Sequence, residues 1–118
     1  GNLNKNDEFE NFRIELIDRF GNIPKQLDYL IKIMKIKLNC EDSGIHRIDS
    51  GINGATIEFI NNGYIDPNKF ISWLEKSIYD LKLRNDQKIF IAYKWNSIEE
   101  RLDIIESITS EIKGLVYN

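Results

Sequence analysis

The order of its periodic segments predicts an α+β fold. A small antiparallel sheet of about four strands, built as two hairpins, is covered by about four helices in the order ααββαββα. Three observations carry this prediction. Apolar residues at helical spacing open and close the chain, two strand-turn-strand runs lie between them, and a helix introduced by Asp66-Pro67 separates the two runs.

The first helix is predicted over 7–20. Phe9, Phe12, Leu16 and Phe20 recur at steps of three or four as one apolar stripe, widened by Ile17. Gly21 supplies the stop, because glycine accepts the left-handed conformation at a helix end. Pro24 then opens a second helix to about Asp42, at a first position where its missing N–H would be unpaired anyway. The short link predicts an antiparallel helical hairpin. Leu27, Leu30, Ile31, Met34 and Leu38 form one stripe of the second helix. Tyr29, Ile33, Ile36 and Cys40 form another, so this helix is expected to be covered on more than one side. Residues 45–50 and 55–60 read as strands joined by Gly51-Ile52-Asn53-Gly54, where Asn-Gly favours positive φ. Asn61-Asn62-Gly63 closes the second strand. Asp66 caps a third helix with apolar positions at Phe70, Ile71, Trp73, Leu74, Ile78 and Leu81. Residues 81–84 form a short strand, Asn85-Asp86 a turn, and residues 88–95 the clearest strand. Asn96-Ser97 caps a last helix to about Gly114, with Ile98, Leu102, Ile105, Ile108 and Ile112 facing inward.

A chain of 118 residues with 42% apolar and 30% charged residues has the make-up of one ordinary globular domain. The expected division is a disordered or cloning-derived lead at 1–7 and a single domain over 8–118. An opening Gly1 in place of Met fits a piece cut from a longer protein. No apolar run approaches the roughly 20 residues that cross a bilayer. A single cysteine makes no internal disulfide, so a reducing cytoplasm is the expected location. With a net charge of −3 and cations interleaved with acids, nucleic acid is a secondary expectation. A nucleic-acid-binding module would use Tyr93, Trp95 and surface lysines, the two rings stacking bases. Ile89 and Ile91 share their strand face, which favours a core role for both rings.

No catalytic or metal constellation emerges. His46 is the only histidine, and Cys40 sits among apolar neighbours as a small core residue. Gly51-Ile52-Asn53-Gly54 lacks the Lys-Ser/Thr of a phosphate loop and does not lead into a helix. The carboxylates Glu41-Asp42, Glu99-Glu100 and Asp103 lack the spacing of a calcium loop. The expectation is a non-enzyme with no cofactor or metal of its own.

One polar feature stands apart. At 100° per residue, Glu8, Asn11, Glu15 and Asp18 fall opposite the Phe stripe, with Arg19 at their border. A local reading makes Glu15 and Arg19 an i,i+4 pair on a solvated face, worth a few tenths of a kcal/mol. A docking reading makes Glu15, Asp18 and Arg19 a partner interface, since arginine and carboxylates suit charge-assisted recognition. Asp18 occupies the last turn, where the helix dipole disfavours an anion. The residues alone leave both readings open.

The run Glu15-Leu-Ile-Asp18-Arg19-Phe20-Gly21, followed by Pro24 and an apolar helix, resembles the C-terminal domain of bacterial transcription-repair coupling factors, the Mfd family. Ser43-Gly44-Ile45, Thr56-Ile57-Glu58-Phe59, Asp66-Pro67 and Leu83-Arg84-Asn85-Asp86-Gln87-Lys88 have counterparts in the same order, over about 8–113. The resemblance implies a non-catalytic regulatory domain in a bacterial, cytoplasmic parent. That parent is an ATP-driven DNA translocase that displaces stalled RNA polymerase and recruits UvrA for excision repair, with ATP and Mg confined to its motor domains. The domain is then expected to be monomeric when isolated. In the parent it docks on the UvrB-like module and masks the UvrA-binding surface through Glu15, Asp18 and Arg19.

Overall fold

The computed structural model describes residues 2–60 and 64–117. The expected strand end at Asn61-Asn62-Gly63 lies outside them. Eight elements follow in chain order: α1 (Asn2–Phe20), α2 (Lys25–Ser43), β1 (Ile45–Gly51), β2 (Gly54–Phe59), α3 (Pro67–Lys76), β3 (Asp80–Arg84), β4 (Lys88–Ala92) and α4 (Ile98–Lys113). This is the α+β order that the sequence predicts.

The sheet is antiparallel with strand order β1-β2-β4-β3. The two hairpins meet along β2 and β4, where Ala55 pairs with Ile91 and Ile57 with Ile89. These four side chains share a face and are buried with Ile45, Ile108, Ile112 and Leu115. Period-2 alternation along β2 and β4 therefore meets the 3–4 spacing of α4 in one core. By the same alternation Thr56, Glu58, Lys88 and Phe90 occupy the opposite face, with Arg47, Asp49, Lys82 and Arg84 on the flanking strands. None of these eight is buried.

α3 lies beside α4. Phe70 meets Phe59 edge-on with centroids 6.2 Å apart, and Trp73 donates its indole N–H to Glu111 at 2.9 Å. α2 packs along α4, joined by buried Asn39, whose Nδ2 donates to Thr109 Oγ1 at 3.2 Å. Both later helices are capped as the sequence predicts. Asp66 accepts from the Asn68 N–H, and Ser97 accepts from the Glu100 N–H, while Glu100 in turn accepts from the Asn96 N–H.

Several expectations need correction. The first helix begins at Asn2 rather than Asp7, so the expected lead at 1–7 is helical from Asn2. Phe9, Phe12, Leu16 and Phe20 do not form a buried stripe, since Phe12 is 51% and Phe20 75% exposed. α1 is turned so that Glu10 and Arg13 meet charged partners on α2 and Phe9, Leu16 and Ile17 are half-buried, which leaves Phe12 off the packing face. Pro24 stands one residue before α2, in the N-cap position, and its carbonyl accepts from the Leu27 and Asp28 N–H groups. Leu30, Ile33 and Met34 remain exposed, so α2 is covered less widely than its composition suggests.

In the first hairpin Gly51 pairs with Gly54 across Ile52-Asn53, and Asn53 is not at positive φ. Positive φ falls on Gly54 (+141°) and, in the second hairpin, on Asp86 and Gln87. β4 ends at Ala92, three residues before Trp95. Ile78 lies beyond α3 and is 90% exposed, and Ile98 in the first turn of α4 also faces outward.

Candidate functional site: the outer face of the first helix

Glu15, Asp18 and Arg19 sit near the C-terminal end of α1. That end is set by Gly21, whose φ is +78° and whose N–H closes on the Ile17 carbonyl at 2.9 Å. All three side chains are exposed. Arg19 Nη2 lies 2.8 Å from Glu15 Oε1, with both side chains more than half exposed, so the pair adds only a few tenths of a kcal/mol to the helix. Asp18 has no ion-pair or hydrogen-bond partner among the described residues, and it sits in the turn where the helix dipole opposes it.

The hairpin that carries this face is held by charge. Arg13 Nε donates to Asp28 Oδ1 at 2.7 Å, and Lys35 pairs with Glu10. Asp28 is also approached by Lys32 at 3.8 Å, and Lys32 pairs with Asp103 of α4 at 2.7 Å. Tyr29 donates its hydroxyl to Glu99 at 2.6 Å. The Arg13 guanidinium holds the Asp28 carboxyl below its ordinary range, and the hydrogen bond from Lys35 does the same for Glu10. Glu106 of α4 moves the other way, because burial raises it. Arg13–Asp28 and Glu10–Lys35 join α1 to α2, Lys32–Asp103 and Tyr29–Glu99 join α2 to α4, and the opposite side of α1, with Glu15 and Asp18, faces outward.

Two side chains that the apolar stripe places inside are exposed, and one of them borders this surface. Phe12 lies one turn before Glu15 and two before Arg19, on the Arg19 side of the patch, while Phe20 is exposed on the side of the helix away from Glu15 and Asp18. The patch is thus mixed, two acids and an arginine bordered on the Arg19 side by the Phe12 ring. Periodicity hid this, since an apolar stripe reads alike whether a neighbour or a partner protein covers it.

The other candidates are engaged elsewhere. Tyr93 and Trp95 stack on each other with centroids 5.2 Å apart, and the Trp95 indole N–H donates to the Gly51 carbonyl at 2.6 Å. Both rings are half-buried. Burial pushes the Cys40 thiol up to about 11, far from a reactive thiolate. His46 is exposed, 4.0 Å from Glu58. Among the described residues no group of three or more His, Cys, Asp or Glu could hold a metal, and no helix is long and apolar enough to cross a membrane.

The fold and this surface define a small α+β domain that presents the outer face of an N-terminal helical hairpin. The chain belongs to the TRCF domain family, whose model matches residues 1–70, a span that includes Glu15, Asp18 and Arg19. The transcription-repair-coupling factor of Rickettsia bellii is 37% identical over 118 residues, which is 100% of this chain and 10% of that protein. That of Haemophilus influenzae is 38% identical over 69 residues, 58% of this chain and 6% of that protein. The chain thus spans about a tenth or less of these curated relatives. The crystal structure of a C-terminal domain of transcription-repair coupling factor superposes with a TM-score of 0.67 at 23% identity. The match covers 90% of this chain and 71% of that one, and establishes a common fold.

Proposed function

We propose that this domain is the regulatory latch of a transcription-repair coupling factor. It docks on the UvrB-like module of the same protein and masks the surface that binds UvrA. The observation that carries the reading is the exposed trio Glu15, Asp18 and Arg19, with Asp18 unpartnered among the described residues in a turn that disfavours it. Glu15 and Asp18 meet arginines of the module, and Arg19 meets a carboxylate or a backbone carbonyl. The domain itself is non-catalytic and needs no cofactor. In the bacterial cytoplasm the parent protein uses ATP and Mg to translocate on DNA and displace stalled RNA polymerase.

A latch must hold the closed form and then let go. Coupling between such states is typically about 1–3 kcal/mol, and a small, polar, salt-screened contact suits that range better than a broad apolar one. In the full-length protein, Glu15→Arg with Asp18→Arg is expected to raise UvrA affinity by roughly 5- to 150-fold, measured by titration with labelled UvrA. Unchanged UvrA affinity in that variant overturns the latch.

A further inference from the structure

We propose that α1 is a detachable arm: it undocks from α2 as a unit while the sheet and the other helices stay folded. The proposal concerns the hinge beneath the patch and holds whatever the patch binds.

Four observations support it. First, no residue of α1 with a described side chain is buried, whereas α2, β2, β4 and α4 all contribute buried residues. On a helical wheel Ile31 of α2 lies on the same side as Asp28 and Lys35, beneath the arm. Ile31 is buried, but it stands outside the main core cluster of Ile45, Ala55, Ile57, Ile89, Ile91, Ile108, Ile112 and Leu115. Removing α1 therefore leaves that cluster intact.

Second, the polar part of the arm's contact is two ion pairs, Glu10 with Lys35 and Arg13 with Asp28, beside half-buried Phe9, Leu16 and Ile17; the Glu10 and Arg13 side chains keep 44% and 33% of their exposure. Water already reaches them, and salt screens such pairs.

Third, opening strands no charge on α2. Asp28 retains Lys32, which retains Asp103, and Lys35 retains the field of Glu106. Breaking an ion pair is expensive chiefly when it leaves a buried charge uncompensated, and here each α2 partner keeps a second neighbour of opposite sign.

Fourth, the joint is short and conformationally free. Gly21 stands at φ +78° in open space, with no atom beyond its chain neighbours within 4 Å of where a Cβ would lie, and α2 does not begin until Lys25. Glycine visits both halves of φ space readily, so the backbone at Gly21 can change conformation at little cost.

Once the arm is off, the Asp28–Lys35 side of α2 becomes continuous with its exposed Leu30, Ile33 and Met34. One domain thus has two states of different surface, with the trio Glu15, Asp18 and Arg19 on the moving part.

Hydrogen exchange read by mass spectrometry on the whole chain tests this. Peptides from α1 are expected to exchange at least about tenfold faster than those from β4 and α4, a gap typical of local opening. Raising salt from about 0.05 M to about 1 M, which shortens the screening length several-fold, speeds α1 further and leaves β4 and α4 unchanged. In Glu10→Gln with Arg13→Met, α1 exchanges about tenfold faster than in the parent chain, and its salt dependence disappears. Equal exchange of α1 and α4, or a variant whose α4 rates rise together with those of α1, overturns the proposal and makes α1 part of one cooperative unit. Neither result bears on UvrA masking, which the full-length titration reads separately.

Discussion

Asp18 stands where local physics gives it least support. It lies in the last turn of α1, exposed and without a partner among the described residues, against the negative end of the helix dipole. Glu15, one turn earlier, at least has Arg19 at 2.8 Å. Substituting Asp18→Asn removes the misplaced charge. It is expected to leave the urea midpoint unchanged or raise stability by about 0.3–1 kcal/mol, while weakening docking to the UvrB-like module. A variant that is clearly destabilised makes Asp18 a structural residue and removes the main argument for its role in recognition. The trio itself was legible in the sequence because a wheel needs only spacing. Its aromatic edge was not, because Phe12 looks like a core residue until the rotation of α1 is known.

At the level of elements, α1 turns inward a mixed face, with half-buried Phe9, Leu16 and Ile17 beside Glu10 and Arg13. The sequence places the apolar stripe of α1 toward its neighbour, but the register actually adopted brings Glu10 to Lys35 and Arg13 to Asp28. These long-range pairs are invisible to periodicity, since their partners lie 25 and 15 residues away. They also give the hairpin a pH dependence of definite sign. The carboxyls of Glu10 and Asp28 are held below their ordinary values by Lys35 and Arg13. Their contribution is therefore fully present above the unfolded-state value of about 4 and is lost as pH falls through the lower folded values. Glu106, raised by burial, opposes this in part, because acidification through its folded value favours the folded state. Docking of α1, followed through the NMR shifts of its amides, is expected to hold from neutral pH down to about 4 and to fail below it. A Glu10→Gln/Asp28→Asn variant is expected to show little of that transition. An identical acid transition in wild type and variant would assign it to other groups.

For the whole molecule, element order and core were read from sequence with little loss. Ile57, Ile89, Ile91, Ile108 and Ile112 are the most deeply buried large side chains, and all five lie at positions where strand alternation or helical spacing puts them inside. The errors gather where backbone geometry depends on distant contacts. β4 stops at Ala92, after which the chain turns and the rings of Tyr93 and Trp95 close over the first hairpin. Positive φ falls on Asp86 and Gln87 rather than on Asn53. The resulting molecule offers three unlike surfaces: the mixed outer face of α1, the apolar strip of α2, and the charged outer face of the sheet with Arg84 over the Phe90 ring. Only the first of these three combines an unpartnered acid with an exposed aromatic edge, and the latch reading rests on it. Titration of the isotopically labelled domain with the UvrB-like module, followed amide by amide, tests this most directly. The account predicts shift changes centred on Glu15, Asp18 and Arg19 with the sheet unperturbed; changes confined to the outer sheet face around Arg84 and Phe90, or none at all, would contradict it.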